Sequence, residues 1–388
     1  MLSACQKSVN EEYGKHPYFF KRFGSQNEEA AVFINDCIGN KIYVSAYVAT
    51  NTDEFIDTYQ YSEYGIVLQN GREVSSYGVA TGYRFEDGSY AVGKLYINDL
   101  AKYNADGSLV GRYQNSGNMD YFHGTPIVLS NKHVAFGLAN GFGAYSSHNY
   151  IYELDETMKF YTVHEVLESN ALGHVIRMEI DRIEGNDYYC SGSMIPSPWQ
   201  FSDKHRTFVA RFNFSNPANN FVKIVSPSDI NLDDNMVAKA NLSDGGLVQL
   251  ISPGFFLIGP RADLGGKFFE LVRWDKERNL IWRNKFGLGF NITTPTRITI
   301  NEKGELLVVG QVKNGATDPA FPFIMKIDAS GNEIFHRVYP EIFDGGINYG
   351  YEASNGDFYF AGVIQLFGEN VLAHDGFILK TDAKGNFK

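Results

Sequence analysis

The chain has 388 residues, a net charge of −11 and an aromatic content of 15 %. An acidic chain without a cluster of Lys and Arg is not expected to bind the phosphate backbone of nucleic acids. No apolar run reaches the roughly eighteen residues of a membrane helix, so we expect membrane association only through a lipid. The abundance of Tyr, Phe and Gly, with little helical periodicity, favours stacked antiparallel sheets.

The N-terminal segment LSAC, residues 2–5, resembles the lipobox of bacterial lipoproteins. In that family small residues precede a cysteine that is diacylated, and the basic and apolar parts of a signal peptide lie upstream. The resemblance implies a lipid anchor on Cys5, a lipobox remnant and polar tether over residues 1–17, and a location at the outer membrane of the bacterial cell envelope. Which side of that membrane the protein occupies stays open. The alternative is a chance run of small residues before a cysteine.

An alternating apolar strand that ends in a small residue recurs seven times along the chain. The last residue is Gly in six copies and Ala46 in the first, and a small residue is expected where two backbones approach closely. The copies are separated by 44 to 67 residues, and the longest spacing marks an insertion between the fourth and fifth copies. The seven copies occupy residues 42–46, 90–93, 134–137, 188–192, 255–259, 306–310 and 358–362.

A second pattern, a strand that ends in Asp and is followed by a tight turn and another strand, recurs near the C-terminus. Asp275, Asp328 and Asp382 mark it at spacings of 53 and 54 residues. A repeat of this length suits a four-stranded propeller blade. We expect each Asp to bond the backbone of its own turn.

The two ends of the chain are predicted to share one blade. The last repeat stops just after its Asp turn, and residues 18–24 parallel residues 281–287, which form the outermost strand of another repeat. We therefore predict an all-β fold over residues 18–388: one seven-bladed β-propeller of four-stranded antiparallel blades, closed by an N-terminal strand in the last blade.

The repeats are similar to those of bacterial β-propeller lipoproteins of the delta-60 and SBBP repeat groups, with the pattern DGGyilaG followed by ylvKtDxxGn. Residues 355–362, 375–382 and 385–386 carry the similarity, which is good over residues 241–388 and weaker before them. The resemblance implies a secreted or surface location and no common catalytic residue.

Long connections between the second and third strands of the blades predict a binding face, because function concentrates on loops held by a rigid scaffold. Their aromatic and His side chains suit a protein or a glycan. The alternative to a binding face is that these loops vary in length because packing does not constrain them. The candidate binding residues are Tyr59, Tyr61, Phe142, Tyr145, His148, Trp199, Phe201, His205, Phe321, Phe367 and His374.

The only cofactor that the sequence suggests is a calcium ion, which one acidic segment could bind. Asp229, Asn231 and Asp233 alternate along it and could converge their oxygens on Ca²⁺. Asp234 and Ala240 stand where an EF-hand requires Gly and Glu, which excludes that motif. The alternative to a looser calcium loop is a solvated acidic turn.

Catalytic motifs are absent from the sequence: it has no H-x-x-x-H, no G-x-S-x-G and no P-loop. Cys37 and Cys190 are predicted to be buried free thiols. The leading hypothesis is a non-enzymatic, lipid-anchored propeller that binds a protein or glycan or serves as a scaffold. A glycan-active hydrolase or lyase that uses the central channel is one alternative. An outer-envelope assembly factor is another, since Trp282 with Gly287 resembles quinoprotein-like propeller repeats.

Overall fold

The structure is a computed structural model that describes most of the chain between residues 19 and 387. The parts outside the description are residues 1–18, 24–28, 39–40, 50–53, 63–66, 76–79, 85–88, 95–98, 105–107, 115–119, 123–126, 130–131, 141–148, 167–173, 196–203, 226–233, 254–265, 316, 343, 354, 369–370 and 388.

Within the described residues the strands form seven antiparallel sheets, so the all-β prediction is confirmed. The first strand is β1 (Phe19–Phe23). The first sheet has β2 (Glu29–Ile38), β3 (Lys41–Ala49), β4 (Glu54–Ser62) and β5 (Val67–Ser75). The second sheet has β6 (Ala80–Arg84), β7 (Tyr90–Lys94), β8 (Asp99–Tyr103) and β9 (Leu109–Gln114). The third sheet has β10 (Asp120–Phe122), β11 (Ile127–Val128), β12 (Val134–Asn140), β13 (Asn149–Leu154) and β14 (Phe160–Val166).

The remaining sheets follow in chain order. The fourth has β15 (His174–Glu184), β16 (Asp187–Ile195), β17 (Arg206–Asn213) and β18 (Phe221–Ile224), with a short 3-10 helix at Pro217–Asn219. The fifth has β19 (Asp234–Asn241), β20 (Leu247–Pro253), β21 (Phe269–Trp274) and β22 (Leu280–Phe286). The sixth has β23 (Ile292–Ile300), β24 (Leu306–Lys313), β25 (Phe321–Ile327) and β26 (Glu333–Val338). The seventh has β27 (Gly345–Glu352), β28 (Phe358–Gly368), β29 (Val371–Thr381) and β1.

The chain divides into two compact units. One comprises Met1–Tyr77 and Leu288–Lys388 and contains the first, sixth and seventh sheets; the other is Gly78–Gly287 and contains the second to fifth. Each has buried apolar side chains between neighbouring sheets, such as Phe358, Phe360 and Phe377 in the first unit. Among the residues that the structure describes, no helix is long and apolar enough to span a membrane.

Strand β1, near the start of the described residues, pairs with β29. Phe19 lies opposite Lys380 and Phe23 opposite Gly376. The rings of Phe20 and Phe377 lie 5.3 Å apart, so the pairing also buries aromatic surface. The pairing covers the edge that β29 would otherwise expose.

The Asp turns are held by their own carboxylates, as expected. Asp328 accepts hydrogen bonds from the backbone N–H groups of Ser330 and Asn332, both at 2.8 Å. Asp382 does the same with Lys384 and Asn386. The bonds from Asn332 lower the pKa of Asp328 below its ordinary value.

The fourth residue of these turns has positive φ, and its identity differs between sheets. It is Gly331 in the sixth sheet and Gly385 in the seventh, but Met158 in the third and Arg278 in the fifth, with φ of 67° and 61°. Both of these longer side chains are buried, and Met158 packs beside Leu100 of the second sheet. A side chain in the left-handed conformation costs about 1–2 kcal/mol.

The strand-ending glycines are needed for close backbone approach, as predicted. A Cβ atom on Gly192, Gly310 or Gly362 would lie 1.9, 2.3 or 2.1 Å from a backbone carbonyl oxygen of the neighbouring strand. These distances are well inside van der Waals contact, so only glycine fits without movement of the backbone.

Candidate functional site

Four of the predicted binding residues lie on strands rather than in the predicted loops. Tyr59 and Tyr61 are on β4, Phe367 is on β28 and His374 is on β29. The prediction of long loops was wrong here because the strands continue: Gly368 still pairs with Val371, which leaves a two-residue connection.

Two further predicted residues are described, and neither lies in an open loop. Phe321 begins β25 and is half-buried. His205 is buried, and its Nδ1 lies 2.9 Å from Oδ1 of Asn235. His205 lies just before β17 and contacts a buried amide on β19 of the next sheet, so its side chain is not part of an exposed binding face and that assignment is corrected.

The other predicted site residues lie outside the described residues. They are Cys5, Phe142, Tyr145, His148, Trp199 and Phe201 for the anchor and binding face, and Asp229, Asn231 and Asp233 for the calcium hypothesis. Among the side chains that the structure does describe, no group of three or more His, Cys, Asp and Glu is arranged to hold a metal ion. Cys190 is a buried free thiol, as predicted, and burial raises its pKa; the side chain of Cys37 is not described.

A carboxylate, a phenol and two imidazoles meet between the third and fourth sheets, and sequence reasoning missed this cluster. Glu153 on β13 accepts a hydrogen bond from the hydroxyl of Tyr188 on β16 at 2.5 Å. The same hydroxyl lies 3.1 Å from Nε2 of His164 on β14. Nδ1 of His133, just before β12, lies 3.8 Å from the second oxygen of Glu153. We call these four residues the Glu153 cluster.

The electrostatics of the Glu153 cluster fix its hydrogen bonds. Burial, with a further contribution from Glu153, raises the pKa of Tyr188, so its hydroxyl stays protonated and donates to Glu153. Since that hydroxyl has only one hydrogen, His164 donates to it through Nε2–H. Burial also lowers the pKa of His164, and the charge of Glu153 opposes this shift only in part. Such a chain can hold and pass a proton.

The repeat pattern contains the signal that could have found this cluster. Two residues before the turn Asp or Asn, the third strand carries a basic residue in four other sheets: Lys102, Arg273, Lys326 and Lys380. Lys326 shows what that residue does: its Nζ lies 2.8 Å from Glu352 on the first strand of the next sheet. Glu153 reverses the charge at this position, and the partner from the next sheet is a phenol instead.

A buried ion cluster joins the fourth and fifth sheets. Asp181 on β15 binds Nζ of Lys239 on β19 at 2.7 Å and Nη2 of Arg278 at 3.0 Å, and it accepts a third bond from the hydroxyl of Ser191 at 2.6 Å. Glu179 on β15 lies 3.9 Å from Lys239. Arg278 occupies the turn position that is glycine in the sixth and seventh sheets, and its side chain, together with that of Lys239, connects the two sheets.

Comparisons with known proteins give the fold but no function. No protein-family model matches the chain, and no curated protein matches it. A crystal structure of BBS1N in complex with ARL6DN aligns with a TM-score of 0.50 at 8 % identity, over 92 % of this chain and 96 % of that one. The likeness supports a β-propeller fold. A protein of unknown function from Dyadobacter fermentans aligns at a TM-score of 0.49 and 9 % identity, over 93 % and 99 % of the two chains. An alpha-L-arabinanase from Penicillium chrysogenum, complexed with arabinobiose, aligns at 0.45 and 14 %, over 78 % and 92 %.

Replacing His164 with Gln is expected to flatten part of the pH dependence of stability. The folded-state pKa of His164 is below its ordinary value of 6.5, so near that pH the unfolded chain binds more protons than the folded chain. The contribution of His164 is therefore present above about pH 6.5 and is lost as the pH falls through the folded-state pKa. Urea unfolding between pH 7.5 and 5.5 measures this: the wild type should lose stability relative to H164Q as the pH falls. Parallel profiles would contradict the assignment.

Proposed function

We propose that this protein is a seven-bladed β-propeller, closed by its N-terminal strand, that acts as a non-enzymatic binding or scaffold module of the bacterial cell envelope. In this proposal each of the seven sheets is one blade, and the β1–β29 pair completes the last one. The sheets, that pairing and the likeness to a propeller-like structure support it.

The observation that carries the binding role is the difference between the two ends of the sheets. At one end, turns such as 301–305, 328–332 and 382–386 are five residues long and are fixed by hydrogen bonds within the turn. At the other end, the connection between β28 and β29 has two residues, whereas that between β20 and β21 runs from residue 254 to residue 268. Variable connections on regular sheets are where binding residues concentrate.

The ligand is proposed to be a protein or a glycan that binds at the end with the variable connections. Trp199 and Phe201 lie between β16 and β17 in sequence, and aromatic side chains there suit sugar rings and apolar protein surfaces. The lipid on Cys5 would tether the protein to the outer membrane, on its periplasmic or surface side. Phe19 pairs with Lys380, so β1 begins at the end with the tight turns, opposite the proposed binding end.

Binding can be tested with the purified chain on a panel of neutral and acidic polysaccharides, and by cross-linking in envelope membranes. Trp199→Ala is expected to weaken binding by about tenfold or more, because an aromatic anchor contributes roughly 2 kcal/mol. The control is Ser330→Ala, in a turn at the opposite end, and it should bind as the wild type does. Release of new sugar ends would contradict the non-enzymatic proposal in favour of a hydrolase or lyase. Equal binding by both variants would contradict the proposed face. Specific capture of an outer-membrane assembly component would favour the assembly-factor alternative.

The lipid anchor has a separate test. The protein made from its own gene in a bacterial host should incorporate labelled palmitate and sediment with membranes, and Cys5→Ser should abolish both. An unlabelled wild-type protein would contradict the anchor and leave the binding proposal standing.

A further inference from the structure

Strand β14 is an exposed edge with an unusual side-chain content. It is the final strand in the order of the third sheet. Phe160, Tyr161 and Val163 on it are 54 %, 60 % and 40 % exposed. An edge strand presents a row of backbone N–H and C=O groups, and apolar side chains beside that row favour pairing with another strand.

The corresponding strands of the other six sheets all carry basic residues, which are a known protection against edge pairing. Strand β14, with the sequence FYTVHEV, has neither Lys nor Arg. The basic residues of the other six are Lys21 and Arg22 on β1, Arg72 on β5, Arg112 on β9, Lys223 on β18, Arg283 and Lys285 on β22, and Arg337 on β26.

The sequence around β14 is complementary in charge and side-chain type to a second, antiparallel copy of itself. If two copies lie antiparallel about Thr162, Lys159 of each copy faces Glu165 of the other, and Tyr161 faces Val163. Opposite charges and aromatic–β-branched pairs directly across an antiparallel pair each contribute about 0.2–1 kcal/mol. Lys159 and Glu165 are both exposed, so their side chains are accessible to a partner strand.

We propose that β14 is a homodimer interface, at which two copies of this chain pair antiparallel about Thr162 into one continuous sheet. The partner is a second copy because Lys159, which directly precedes the strand, and Glu165 on the strand match in charge when the segment is reversed. The pairing register of β14 with β13 shifts at Tyr161. This irregularity does not protect the edge of β14 from pairing with another strand. The same shift beside the tight turn occurs in the fifth and sixth sheets, so it belongs to the turn geometry.

Site-directed cross-linking tests the register directly. In a Cys5→Ser background, Thr162→Cys places two thiols opposite each other across the symmetry axis, at a Cα separation of about 4.5–5.5 Å that a disulfide can bridge. The control is Ile281→Cys on β22, another edge-strand position, whose side chain is 51 % exposed and therefore at least as accessible to random collision as that of Thr162. Mild oxidation should yield about tenfold more disulfide dimer from T162C than from I281C, because only the first pair is held opposed. Equal yields would overturn the proposal.

A charge exchange tests the pairing in solution. Lys159→Glu and Glu165→Lys each place like charges opposite each other twice, so the dimer dissociation constant from sedimentation should rise by about tenfold. The double variant K159E/E165K restores opposite charges and should return to within about threefold of the wild type. Circular dichroism and urea midpoints establish that all three variants fold. The proposal is overturned if the chain is monomeric at every concentration. That result would mean that another segment or another protein covers β14, or that β14 stays uncovered. A dimer that is unchanged in both single variants also overturns the proposal.

Discussion

Replacing Asp181 with Ala is expected to lower the free energy of unfolding by about 3–5 kcal/mol, because it leaves two buried cations without their shared carboxylate. Lys239 and Arg278 both bind Asp181, at 2.7 and 3.0 Å, and all three side chains are at most 5 % exposed. Burying a charge without a partner is among the largest single destabilising effects in proteins. The measurement is equilibrium urea unfolding of the wild type and D181A.

A matched control separates burial from charge. Asp244 also forms an ion pair, with Arg273 at 3.5 Å, but its side chain is 60 % exposed. Asp244→Ala should therefore cost no more than about 1 kcal/mol. Equal losses from the two variants would show that the Asp181 cluster is not the bond between the sheets that its geometry indicates.

Arg278→Gly adds a second test of the same cluster. It removes the positive-φ strain of about 1–2 kcal/mol but also removes one cation from Asp181. In a double-mutant cycle, D181A and R278G should couple by about 0.5–3 kcal/mol, since the two side chains contact each other.

Replacing Gly192 with Ala is expected to cost about 3 kcal/mol, near the upper end for an overpacked core site. The new Cβ would lie 1.9 Å from the carbonyl oxygen of Arg177 and 2.9 Å from the ring of Phe208. The oxygen belongs to a paired strand, so β15 would have to shift within its sheet. Thermal and urea unfolding of G192A measure the loss.

Gly185 provides the control for this glycine. It has φ of +60° and no atom within 4 Å of the position of a Cβ. Gly185→Asn should cost less than about 1 kcal/mol, because Asn tolerates the left-handed conformation. A G192A protein as stable as G185N would contradict the requirement for close backbone approach.

The fold was predictable from the sequence to the extent that backbone geometry repeats. The small residues after alternating strands and the Asp turns follow from periodicity, and the described residues agree with them. The loop predictions failed at Tyr59, Tyr61, Phe367 and His374. There the alternation continues, and counting from the Gly landmark ended the strands too early.

The polar clusters were not predictable in the same way, because they depend on which residues of different repeats meet. In the sequence, Glu153 is one acidic residue among many. Only the strand registers show that it occupies the position that is basic in four other sheets. Arg278 reads as an ordinary turn residue, and only its positive φ and buried side chain show that it connects two sheets. Sequence distance, 97 residues in the case of Asp181 and Arg278, gives no sign of such a contact.

The pairing of β1 with β29 also sets an order on biosynthesis. Phe19–Phe23 emerge from the ribosome long before their partner Gly376–Lys380. The other described sheets can form from nearby segments as translation proceeds, whereas this one waits until β29 has been made. Until then β1 stays without its partner strand, and the nascent protein is exposed to mispairing throughout that interval.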